Sequence, residues 1–329
     1  MMNNVKTIVE NTLVPHTAFA NATTQLEQCF LYAENAIEPI CIPILGESRT
    51  GKSRSLENFM MEHEKSRSEN GAIIPVFAVR TPAKPTVKGL AGMMLRALGD
   101  PRFDSGTEQW KTHRLQQLMS ECGTRMVIID EFQHFVDKGS AKISYHVADW
   151  LKILIDESKV ALVVAGLPSC IQVLESNEQL GGRFLAPIMM PRFDWRNEEH
   201  REEFIAILDA FENSLSSHFD FPQFTSDEMA FRLHCASGGL IGYLAKILRT
   251  AVWQAVDGAK KIISIADLQV AFHKSVLTNS LNSDIPDPFA SNFSVQPTSE
   301  ILDCFAKLGT RTEQATNRRV TPRRKKVNE

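Results

Sequence analysis

The 329-residue chain predicts an α/β protein, a parallel sheet domain followed by a small all-helical domain. Three observations predict it. Short, uniformly apolar runs such as Met126 to Ile129 and Val160 to Ala165 alternate with helix-patterned segments, as doubly covered parallel strands do. A glycine-framed loop joins the first apolar run to a helix. From about Asn197 the strand pattern fades and four helical segments follow. A hydrophobic content of 43% against 23% charged residues suits a well-buried core.

Residues 1–35 read as an N-terminal arm with one helix over about Thr23 to Asn35. The sheet domain takes 36–196. It opens with an Ile-rich strand, Pro39 to Leu45, and a helix over Lys52 to Lys65. Ile73 to Val79 is a second strand, and Thr86 can cap a helix running to Leu98. Thr107 to Glu121 is a helix and Met126 to Ile129 a third strand. In the helix Ser144 to Glu157, Val147, Trp150, Leu151 and Leu154 share one side. Val160 to Ala165 and Phe184 to Met190 are the fourth and fifth strands. The helical domain, 197–281, holds helices over 197–213, 226–236, 240–256 and 264–278. Residues 282–329 form a polar tail, expected to be disordered apart from a short helix over Ile301 to Leu308.

No run of 18 apolar residues exists, so no membrane span is expected. Met1 to Thr12 lacks a basic-then-apolar leader, which makes the cytoplasm the expected location. Six scattered cysteines without a C-x-x-C pair read as reduced thiols rather than metal ligands. Net charge is −3 but uneven: residues 311–329 carry seven cations and two anions, leaving the body at −8. Nucleic-acid binding would therefore need a local basic patch.

Gly46-Glu47-Ser48-Arg49-Thr50-Gly51-Lys52-Ser53 fits G-x-x-x-x-G-K-[ST] in full, between a predicted strand and a predicted helix. Its backbone N–H groups can curl around phosphate oxygens at a helix N-terminus. Lys52 should reach the β- and γ-phosphates of ATP, and the Ser53 hydroxyl should ligate Mg2+. The strand ending in Asp130-Glu131 fits the Walker B pattern. Asp130 would hold the magnesium and Glu131 would act as general base. Arg183, after Gly181-Gly182, suits an arginine finger entering a neighbour's site, with Arg192 as its competitor.

Together these residues resemble an AAA+ ATPase, whose sheet domain is followed by a helical lid. More narrowly the chain resembles the TnsC/TniB family of transposition regulators, found in transposons that include the CRISPR-associated ones. The segments that carry the resemblance are Ile44 to Ser53, Met126 to Phe135, Trp150 to Glu157, Leu162 to Pro168, Glu178 to Phe184, Met190 to Trp195 and the lid segment Ser237 to Gly242. The resemblance covers about residues 36 to 256. It implies ATP binding, a homo-oligomeric ring or filament around duplex DNA, and a bridge from a TniQ-like target-selection protein to the transposase. Two positions depart from the pattern. Gly166-Leu167, with Ser169 the nearest hydroxyl, stands where relatives place a polar sensor after the fourth strand, and Tyr243 stands where many lids carry a sensor arginine. Slow or tightly regulated hydrolysis is the expectation.

In a ring, Arg80, Thr81, Lys84, Thr86 and Lys88 after the second strand, and Lys138 and Lys142 after Walker B, would face a pore and neutralise DNA phosphates. Solvated loop charge is the competing reading. The basic tail could bind DNA, dock a transposase or only solubilise. Another AAA+ nucleic-acid factor, such as a helicase loader, and an ATP-bound scaffold without turnover are the alternatives to a transposition ATPase.

Overall fold

The computed structural model describes residues 5–14, 16–34, 37–69, 71–82, 85–137, 141–276 and 285–309. Lys84, Lys138 and the basic tail from 310 onward lie outside them.

Among the described residues five strands form one parallel sheet: β1 (Ile42–Leu45), β4 (Val76–Arg80), β5 (Met126–Asp130), β6 (Ala161–Gly166) and β7 (Ile188–Met189), in the order β4-β5-β6-β1-β7. Alternate strand residues serve opposite faces. Val127, Ile129, Leu162 and Val164 pack under helices α4 (Val87–Ala97), α5 (Glu108–Glu121) and α7 (Ala141–Ser158). Met126, Ile128, Ala161, Val163 and Ala165 pack under α2 (Thr17–Ala33) and α3 (Lys52–Glu62). Both faces are covered, which explains the uniformly apolar runs.

The strand ends explain several departures from the expected boundaries. Pro75 interrupts the second predicted strand. Ile73 joins a short antiparallel hairpin of β2 (Ser66–Ser68) and β3 (Gly71–Ile73), and β4 starts at Val76. The fifth strand contracts to two residues, because Pro187 has no N–H to offer a neighbour; Phe184 keeps only a single bridge to Cys41. The first long helix starts at Thr17 rather than Thr23, since Phe19 and Ala22 are buried along with Leu26. Short helices α6 (His134–Asp137), α8 (Ile171–Glu175) and α9 (Glu178–Gly181) fill segments that carried no helix expectation.

Beyond the sheet, α10 (Glu198–Leu215), α11 (Asp227–Ser237), α12 (Ile241–Asp257) and α13 (Ile265–Ser275) share a second core. Asn197, Ser226 and Ser264 each cap a helix through the side chain. Residues 285–309, expected to be disordered apart from a short helix over Ile301 to Leu308, instead return to that core, with the helix present. Phe289, Phe305 and Leu308 are buried in it, the latter two at and just beyond the end of α14 (Ser299–Phe305). The short N-terminal helix α1 (Ile8–Asn11) also joins it through Val9.

Candidate nucleotide site

The ends of β1, β5 and β6 lie side by side, and the loop after β1 crosses them. Gly46 donates its N–H to Gly166 O at 3.1 Å. A Cβ on Gly46 would stand 2.5 Å from Met190 O, so only glycine passes there. Gly51 precedes α3 at φ 98°, the left-handed region that suits glycine. Arg49 adopts φ 71°, and its carbonyl accepts the N–H of Gly242 at 2.8 Å. Its guanidinium lies 4.5 Å over the Tyr243 ring, so the loop is tied directly to the lid where α12 begins.

Lys52 opens α3 and is 9% exposed. Its ammonium donates to Gly46 O at 2.7 Å and Glu47 O at 2.6 Å. Burial pushes its pKa down, opposed by Asp130 and Glu131. Ser53 donates its hydroxyl to Asp130 Oδ2 at 3.0 Å, while Asp130 Oδ1 accepts the N–H of Glu131 at 2.8 Å. A hydroxyl and a carboxylate brought together are hard oxygen donors, a set that fits Mg2+. Glu131, the residue read as general base, leaves the strand at φ 57°, and the next N–H, of Phe132, bonds to Ala165 O of β6 at 3.0 Å.

Lys52, Ser53, Glu131, Gly166, Leu167 and Gly242 line a cavity of about 350 Å³. A second cavity of about 360 Å³ adjoins it through Gly51 and Gly242. Val9, Leu13, Phe19, Phe211 and Ile241 give it apolar walls, beside the polar Glu10, His16, Arg54 and Glu57. The N-terminal arm thus lines the adjoining cavity, a placement that no local motif announces.

The two candidate arginines differ in place. Arg192 grips Glu47 of the phosphate loop with two nitrogens, Nε to Oε1 at 3.0 Å and Nη2 to Oε2 at 2.6 Å. The same guanidinium donates to Gly238 O at 2.7 Å and Leu308 O at 2.8 Å. It therefore joins the loop after β1, the end of α11 and the segment after α14 within one chain. Arg183 makes a two-pronged pair with Asp156 at 2.7 and 2.9 Å and also donates to Gln179 O.

Of the candidate DNA contacts, Arg80, Lys88 and Lys142 are exposed, at the end of β4 and on the first turns of α4 and α7. Thr81 is 3% exposed and donates its hydroxyl to Asp130 O at 3.1 Å, so it braces the end of β5. Thr86 is exposed and accepts the Gly89 N–H as the cap of α4.

A model of the bacterial TniB protein family matches residues 4–195. No curated protein matches significantly. Among solved structures, Cdc6p from Pyrobaculum aerophilum is similar at a TM-score of 0.60 and 14% identity, over 84% of this chain and 73% of that one. The ORC2 protein of Aeropyrum pernix, in ADPNP–ADP complexes, is similar at 0.58 and 12% identity, over 84% and 74%. The ORC1 protein of Aeropyrum pernix, in complex with DNA, is similar at 0.57 and 15% identity, over 82% and 69%. At such identities these likenesses establish the fold, that of the AAA+ P-loop ATPases.

Proposed function

The chain belongs to the bacterial TniB family, and on that premise we propose that it is an ATP-hydrolysing regulator of DNA transposition. In this reading it assembles on duplex DNA as a homo-oligomer and links a TniQ-like target-selection protein to the transposase. The observation that carries the reading is the gathering of Lys52, Ser53 and Glu131 on one cavity, with Asp130 bonded to Ser53.

The residues divide the chemistry. The backbone of Gly46 to Ser53 and the Lys52 ammonium hold the phosphates, Lys52 exchanging its loop carbonyls for anionic oxygens. Ser53 and Asp130 would hold Mg2+, which supplies positive charge against the phosphates. Glu131 takes a proton from water as the water oxygen bonds to the γ-phosphorus. The bond from that phosphorus to the β–γ bridging oxygen breaks, leaving ADP and phosphate. The apolar cavity beside Gly51 takes the base.

Arg183 is the proposed trans-acting arginine. To enter a neighbour's site its guanidinium must first leave Asp156. Arg80, Lys84, Lys88, Lys138 and Lys142 are the proposed phosphate contacts on DNA, and they act without reading bases.

Phosphate release with and without duplex DNA, beside nucleotide affinity, tests the reading. Lys52→Ala should lose affinity, and Glu131→Gln should bind ATP but release little phosphate. Equal affinity in Lys52→Ala and the unmodified protein would overturn it.

A further inference from the structure

The turn after β5 carries a buried amide that no motif explains. Gln133 is 6% exposed. Its Nε2 donates to Glu131 Oε2 at 2.5 Å. Its Oε1 accepts the Leu167 N–H at 3.2 Å and lies 4.0 Å from Cys170 Sγ. One side chain thus joins the Glu131 carboxylate to the backbone just past the end of β6. Both ends of the amide are used, which fixes its direction, since only the NH2 end can donate to a carboxylate.

That end of β6 is also where the chain is unusual, because Gly166 and Leu167 offer no polar side chain. Space accounts for the glycine. A Cβ on Gly166 would meet Gln133 Oε1 at 2.4 Å and Cys170 Sγ at 2.6 Å. Gly166 has no positive φ, so the requirement is room for the amide rather than a special backbone. The bare strand end and the buried amide are two halves of one arrangement.

We propose that Gln133 is a positioning residue that aims the Glu131 carboxylate, and that its amide occupies the place left by the absent side chain at the end of β6. This deepens the ATPase reading and rests on Glu131 being the base. A carboxylate on a left-handed turn has free χ angles and will point to solvent unless something holds it. A donor fixed at its far end to sheet backbone selects one direction, and geometry of this kind acts on turnover more than on binding.

The test compares Gln133→Met and Gln133→Leu, which keep much of the bulk but remove the N–H donor, with Glu131→Gln and the double variant Glu131→Gln/Gln133→Met. Turnover is followed by phosphate release, and nucleotide affinity by a fluorescent ATP analogue. Either Gln133 variant should lower kcat roughly tenfold, the worth of one hydrogen bond to a charged group, with KM and affinity within about twofold. In the Glu131→Gln background, Gln133→Met should lower the residual rate no further, because the group it positions is gone. Unchanged kcat in both Gln133 variants, while Glu131→Gln is slow, overturns the proposal and leaves the ATPase reading standing. Affinity lost in step with kcat, or loss of fold in both variants, makes Gln133 structural and equally overturns it. An undiminished further drop in the double variant means it acts independently of Glu131 and does the same. Wild-type turnover in Glu131→Gln would instead remove the ATPase reading's base, and the proposal with it.

Discussion

At Lys52 a buried ammonium rests on two neutral carbonyls of its own loop. Nucleotide phosphates offer anionic acceptors in their place, which adds attraction between opposite charges to the bonds that the ammonium already makes. Lys52→Ala is expected to weaken ATP affinity about a hundredfold, the worth of two such bonds, measured with a fluorescent analogue. Glu131→Gln should keep affinity and lower turnover on the order of a hundredfold or more, as loss of a general base does. The loop and the strand end behind these expectations were legible because each is local in sequence. Arg192 and Gln133 were not. The carboxylate that Arg192 grips is 145 positions earlier in the chain, and the backbone that Gln133 reaches is 34 positions later. Residue type alone made Arg192 a candidate finger; its partners make it a brace between loop and lid.

Among the helices, α11 is tied through His234 to the segment that leads from β7 into the helical core. This side chain is buried, donates from Nε2 to Phe193 O at 2.8 Å, and has no hydrogen-bond partner at Nδ1. A proton on Nδ1 would be a bare buried charge, so burial pushes the pKa down to about 4 from the ordinary 6.5. Between those values the unfolded chain takes up a proton that the folded chain refuses. Stability from this group is full above about pH 6.5 and falls as pH drops toward 4, by roughly 3 kcal/mol in all. Thermal unfolding across that range should show the loss, and His234→Gln should flatten it; an unchanged pH slope would remove His234 as the cause. At this scale the regular elements were legible where periodicity was unbroken, as in α12. They were misplaced where proline or burial intervened. Pro75 and Pro187 cut strands that apolar composition had extended, and the polar stretch 285–309 was bound to the lid by a few large side chains, Phe289, Phe305 and Leu308.

For the whole molecule, assembly and DNA binding are part of the proposed function and rest on no contact within the single chain. Arg183 offers one handle. If it serves a neighbour after leaving Asp156, Arg183→Ala should lose turnover yet keep ATP affinity, and mixing it with Lys52→Ala should restore part of the turnover. Lost affinity without rescue would make the Asp156 pair purely structural. The body's excess of acid means DNA must meet a local cationic patch. Removing charge at Arg80, Lys84 and Lys88 should weaken duplex binding alike for all sequences and lower the slope of log affinity against log salt by about 0.9 per lost contact. Deleting residues 311–329 should leave most of that slope; the reverse outcome would move the DNA contact to the tail. The most direct measurement is electron microscopy of the protein with Mg-ATP and duplex DNA, beside Lys52→Ala under the same conditions. Rings or filaments enclosing DNA in the unmodified protein, and their absence in the variant, are the expected result. Dispersed single chains in both, or the same assemblies in both, would contradict an ATP-dependent assembly built on this site.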